Sequence, residues 1–235
     1  IEVQGELEVR GSVGLPVILT AWSDVDGGSP NFSDWDGITF NGTNAGGSLE
    51  NFEIRHATKA ISGAADGVRV DMLNGVIRDG NLGIYVYWPY VEMYGRNILV
   101  ANNQSTGVFA RGSSIVELYN STIVGNGHQE GRVGWYATGI HLGESTMRLY
   151  NCIVAHNDIG LHHEGSPPDL TIQHSVFYNS PQVVWTGDMT GYPQLDIDGN
   201  METDPLFVNI ADDWELSNGS PAIDSAAGAF APTRD

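Results

Sequence analysis

The residues best equipped for chemistry are His141, His162 and Glu164, with Arg111 as an added cation. A His/Glu pair can exchange protons near neutral pH, so these four are the candidate catalytic groups. Imidazoles beside a carboxylate can also hold a transition metal, although no H-E-x-x-H spacing marks one here. Tyr85, Tyr87, Phe109 and Trp185 fall at matching or nearby places in the repeats described below. Such rings offer apolar faces with polar tips, a surface on which sugars pack. A second aromatic series is Tyr94, Tyr119 and Tyr150, flanked by Asp71, Glu92 and Glu117. Stacked carboxylates repel, and relieve the repulsion by binding calcium or by holding a proton. The blander alternative for the tyrosines is a ladder that only stabilises its sheet. Finally, Asp24, Asp26, Asp34 and Asp36 sit on a Gly-containing loop whose hard oxygens suit calcium. The loop lacks EF-hand spacing and its distal Glu, so an exposed polar loop is the competing reading. Asp196 and Asp198 in LDIDGN are a weaker version of the same signal.

These residues are spaced by a repeat. The segments VDMLNGVI, VEMYGRNI, VELYNSTI, MRLYNCIV and LTIQHSVF read alike. Aligned on the residue after the first strand, they give the column Asn51, Asn74, Gly95, Asn120, Asn151 and His174. Gly, Asn and His all tolerate the left-handed backbone region, so the column predicts a repeated tight turn. Around it run apolar columns, among them Leu49, Met72, Met93, Leu118, Leu149 and Ile172. Another is Ile54, Ile77, Ile98, Ile123, Val154 and Phe177, and a third is Ile61, Ile84, Val108, Ile140, Leu161 and Val184. Apolar and polar residues alternate at period two, as in strands. A unit of roughly 23 residues with short strands and no helical period is a β-solenoid coil, and about seven fit the chain. A leucine-rich repeat would need an L-x-x-L-x-L pattern that is absent. The largest insertion, His128 to Ala137, brings Trp135 and Tyr136 beside the His141 position. His163 should point inward or sit at a bend.

Composition narrows the function classes. Acidic residues number 29 against 10 basic ones, a net charge of −19, which disfavours nucleic acid and anionic membrane surfaces. Lys59 is the only lysine. No apolar run approaches the ~20 residues of a membrane span. Cys152 is the only cysteine, so no internal disulfide forms, and a buried inert thiol is expected. Sequons occur at Asn31, Asn41, Asn103, Asn120 and Asn218, compatible with an exported glycoprotein. The chain starts at Ile1, as a processed or excised piece would, so a missing signal peptide says little.

Both ends break the repeat. The start runs IEVQGELEV, PVILT, an Asp/Gly loop and WDGITF; the far end carries DPLFV, Leu216 and SPAID. These motifs resemble the opening and terminal coils of right-handed parallel β-helix, pectate-lyase-like repeat proteins of the secreted or surface-anchored kind. The resemblance covers nearly the whole chain. It implies one all-β, right-handed parallel β-helix domain over residues 1–235. Residues 1–47 would be cap strands and first coil, 48–187 regular coils, and 188–235 a terminal coil cut short at Asp235.

Three functions compete. A non-catalytic extracellular or cell-surface protein would bind polysaccharide or glycoprotein glycans, or self-associate into a matrix or filament. This is favoured, because no clean catalytic constellation is present. The alternative is a polysaccharide lyase or glycoside hydrolase, the commonest enzymes on the fold it resembles. A lyase needs cations to neutralise a uronate, and here the arginines do not cluster and the net charge repels polyuronates. A hydrolase needs two carboxylates about 5–9.5 Å apart. Glu92 and Glu117, one coil apart, would approach the shorter distance. An ice-binding solenoid would need a regular Thr face, which is missing.

Overall fold

The computed structural model describes residues 1–127, 137–165, 169–179, 183–187 and 198–227. Trp135, Tyr136, Asp196 and the last residues, Thr233 to Asp235, lie outside that set. The chain winds as a right-handed β-solenoid, and among the described residues the only helix is the single turn Trp22–Val25. Two parallel sheets run its length. One has eight strands, from Glu2–Val3 through Leu82–Val86, Thr106–Ala110, Thr138–Leu142 and Ile159–His163 to Val183–Gly187. The other has twelve and bends around a tight turn in every coil.

That turn corrects the sequence alignment at one place. The left-handed residues are Asn51, Asn74, Asn97, Asn120, Asn151 and His174, so the third member is Asn97 and not Gly95. The true period is 23 residues for three successive steps, and the step from Asn120 to Asn151 carries an insertion of 151 − 120 − 23 = 8. Gly95 pairs with Met72 and Leu118 in an inward column. A Cβ there would lie 2.6 Å from Leu118 Cδ2 and 3.0 Å from Ile98 Cγ1. Gly95 therefore makes room for larger core neighbours. Its identity mimicked a turn because Gly serves both purposes.

The shift moves its neighbours. The inward column is Val70, Met93, Val116 and Met147, and Val100 rather than Ile98 joins Ile77 and Ile123. Most of these side chains are fully buried, and each contributes roughly 1.5–3 kcal/mol against exposure. His163 is buried in the Val86, Ala110 and Leu142 column, inward as expected. Cys152 is likewise buried, and burial pushes its thiol up to about 12.

Asparagine side chains form a ladder inside the coil. Asn126 Oδ1 accepts from the backbone N–H and the side-chain amide of Asn103, both at 3.0 Å. Asn126 Nδ2 donates to Asn157 Oδ1 at 2.9 Å, and Asn157 N–H donates to Asn179 Oδ1 at 2.8 Å. All four asparagines are buried, so the Asn103 sequon is closed to modification in the folded chain, whereas Asn31, Asn41 and Asn218 are exposed. The last coil ends with Met201–Glu202. The antiparallel pair Phe207–Asn209 and Asp213–Leu216 then turns back along the coils, where Asn102 Nδ2 donates to Ala211 O at 2.8 Å.

Candidate functional site

Register assembles the site on the outer side of the eight-stranded sheet. Ser62, Tyr85, Phe109, His141 and His162 are level in successive coils. Parallel strands sit about 4.8 Å apart, so matched rings must meet. The ring centroids of Tyr85 and Phe109 are 4.9 Å apart, and those of Phe109 and His141 4.6 Å. His141 and His162 meet edge to face at 5.0 Å. Lys59 Nζ closes one end, 4.3 Å from the Tyr85 centroid. Tyr87 lies nearly parallel to Tyr85, 6.5 Å away.

The strand ends bring charge to this stack. Gly143 lies one coil beyond Arg111, and Glu164 one beyond that. A Cβ at Gly143 would fall 2.8 Å from Arg111 Cγ, so the missing side chain lets Arg111 cross the intervening coil. Its Nη1 reaches Glu164 Oε1 at 2.6 Å, and His141 Nε2 lies 3.3 Å from the same oxygen. Desolvation lowers the His162 pKa, and His141 adds to the effect, so the surroundings favour the neutral ring. Phe109, His141 and His162 are buried, so this stretch is a filled wall and offers no open face on which a sugar could pack. The four candidate catalytic residues do converge. Trp185 does not join them: its strand position is level with Leu161, and Thr186 is level with His162.

Exposure is concentrated at the aromatic end. Tyr87 and Trp88 are 51% and 49% exposed, and Tyr90 is 69% exposed. Trp88 and Tyr90 were missed in the sequence. The available signal was the turn column Asn44, Gly67, Tyr90 and Ser113, all at positive φ and 23 residues apart. A bulky residue there is costly, of order 1–3 kcal/mol, so folding alone does not call for Tyr90.

The other candidate surfaces are spoken for. Tyr94 is level with Asp71 and Glu117, and Arg96 takes the place assigned to it between Leu73 and Tyr119. Only Tyr119 and Tyr150 stack, at 5.1 Å. Glu92 is level with Arg69 and Ile115, so the row of three acids and the Glu92/Glu117 pair are not stacked. Tyr94 donates to Glu92, Tyr119 donates to Glu117, and Arg148 bridges Glu117 and Asp169. A shallow groove of about 360 Å³ opens between Arg69, Tyr94, Arg96 and Tyr119. Arg69 is held there by Asp71 and Glu92.

The aspartate loop does not close on a point. Asp24 accepts from Thr20 and faces Arg55, and Asp34 accepts from Ser23 and Asn31. The Thr20 hydroxyl, with His56 and Arg55 adding to it, holds Asp24 below the usual carboxylate range. Asp26 accepts from Gly28 N–H, and Asp36 is exposed at the edge of a different hollow with Lys59. Among the described residues, the one group of three close potential metal ligands is His141, His162 and Glu164.

A family profile described as "Right handed beta helix region" matches residues 36–200. No curated protein and no solved structure gives a match. Among the described residues no helix is long and apolar enough to cross a membrane.

Proposed function

Since this chain belongs to the right-handed beta helix family, and that fold hosts both binding and catalytic surfaces, we propose from its own side chains that it is a non-catalytic glycan-binding protein of the cell exterior. Its ligand is a neutral polysaccharide, gripped at the aromatic end of the eight-stranded sheet. The carrying observation is the exposure of Tyr87, Trp88 and Tyr90 beside the ordered Tyr85–Phe109 stack. Large exposed aromatics grouped on a rigid scaffold mark a contact surface. Lys59 and Arg111 flank the rings and supply hydrogen-bond donors for hydroxyl groups. The net charge of −19 disfavours polyanions. The tyrosines of the twelve-stranded sheet are assigned to sheet stability, because two of their hydroxyls are committed to glutamates.

The test is retention of the purified protein on a panel of insoluble polysaccharides. Retention by a neutral polymer, lost in Tyr87→Ala/Trp88→Ala, is expected. Retention only by polyuronates, or equal retention of the double variant, contradicts the proposal. The convergence of Arg111, Glu164 and His141 is the observation favouring a lyase or hydrolase. Release of new reducing ends or unsaturated products from the same panel, abolished by Glu164→Gln, would establish that instead.

A further inference from the structure

We propose that His141, His162 and Glu164 form a three-ligand site for a divalent transition-metal ion of the zinc class. The fold places them. The two histidines are register partners on adjacent strands, and Glu164 emerges two residues after His162, on the same side. One nitrogen from each ring and one carboxylate oxygen all lie within 4.8 Å of one another. In a tetrahedral site with bonds of about 2.0–2.2 Å, neighbouring donors are about 3.3–3.6 Å apart. The His141–Glu164 edge, at 3.3 Å, already has that length. The remaining edges need to close by about 1.5 Å at most when the metal binds.

The donor set selects the ion. Two imidazole nitrogens and one carboxylate oxygen suit zinc and its first-row neighbours, whereas calcium and magnesium take mostly oxygen. The histidines are 1% and 7% exposed, so few waters compete for the ion. Arg111 grips the Glu164 carboxylate at 2.6 Å. Arg111 thus holds the same oxygen, Oε1, that faces His141, and acts as the outer partner that orients the ligating carboxylate. Gly143, by leaving room for Arg111, belongs to the same device. Three protein ligands leave a position open to water or to a hydroxyl of a bound sugar. Metal binding requires neither the glycan nor any turnover, so it stands or falls separately from the binding surface.

The experiment is a titration of chelator-stripped protein with Co²⁺, followed by visible absorption, then displacement by Zn²⁺. One equivalent should bind with the intense bands of a low-coordinate site, and Zn²⁺ should abolish them. His162→Ala and Glu164→Gln should each weaken binding at least tenfold, and His156→Asn, elsewhere in the coil, should leave it unchanged. Glu164→Gln preserves side-chain volume, and its circular dichroism reports an intact coil. Absence of a bound equivalent, or equal affinity in wild type and the two ligand variants, would show the cluster to be an ion-paired network only.

Discussion

Asn126→Ala is the severest small change the interior ladder offers. The substitution removes the Oδ1 that accepts from Asn103 N–H and from Asn103 Nδ2, both at 3.0 Å and both buried. Each stranded donor costs about 1–3 kcal/mol, so two cost about 2–6 kcal/mol. The Asn126 Nδ2 bonds to Val100 O and Val124 O are lost as well. Domains are commonly stable by only about 5–15 kcal/mol, so the loss is a large share. In urea, with a slope of about 2–3 kcal/mol/M, the midpoint should fall by about 0.7–3 M at unchanged slope. Asn97→Gly is the matched control. It deletes one exposed ladder bond, to Asn74 Oδ1 at 2.9 Å, and Gly accepts the φ of 55°. Its cost should stay within about 1 kcal/mol. An Asn126→Ala loss below about 1 kcal/mol, or one equal to the control, would refute the claim that buried amide satisfaction holds the coils in register.

Three further outcomes follow. Gly37→Ala should cost over about 3 kcal/mol, because its φ is 92° and a Cβ would lie 1.8 Å from Lys59 O, whereas Gly95→Ala meets only movable side chains and should cost about 1 kcal/mol; thermal unfolding of both variants checks this. Stability should fall as pH drops below about 6.5, because burial lowers the folded His156 pKa against the opposing pull of Asp204, so the unfolded chain binds the proton first; His156→Asn should flatten that part of a urea-midpoint profile. Cys152 should resist thiol reagents in the native protein and react once unfolded, and native labelling at the unfolded rate would contradict its burial.

The same pH profile has a second limb. Burial raises the Glu53 pKa, but hydrogen bonds from Arg55 and Arg78 outweigh it and hold the carboxyl below its usual range. Stability from this cluster is present above about 4.5 and is lost as pH falls through the folded value.

The solenoid was legible in the sequence because stacking repeats each side-chain type every 23 residues. The Asn51, Asn74, Asn120, Asn151 and His174 turns were placed correctly for that reason. Gly95 was misread because glycine answers two demands, a left-handed turn and a crowded core, and nothing local tells them apart. That two-residue slip dragged Tyr94 and Glu92 into columns they do not occupy. The grouping of His141, His162, Glu164 and Arg111 was readable from strand parity. Its burial was not, since outward parity says nothing about what fills the space around a ring. The interior Asn103–Asn126–Asn157–Asn179 ladder was overlooked because asparagine reads as a turn residue, and Asn126 in particular falls between two glycines. Trp88 and Tyr90 were passed over because they lie in a turn, where apolar periodicity carries no signal.

The most direct test of the glycan-binding surface is calorimetric titration of an oligosaccharide, cut from whichever neutral polymer retains the protein, into wild type, Tyr87→Ala and Trp88→Ala. The exposed rings predict single-site binding that weakens about tenfold, or about 1.4 kcal/mol, for each ring removed, with unchanged thermal stability. Identical affinities in all three proteins would contradict the assignment.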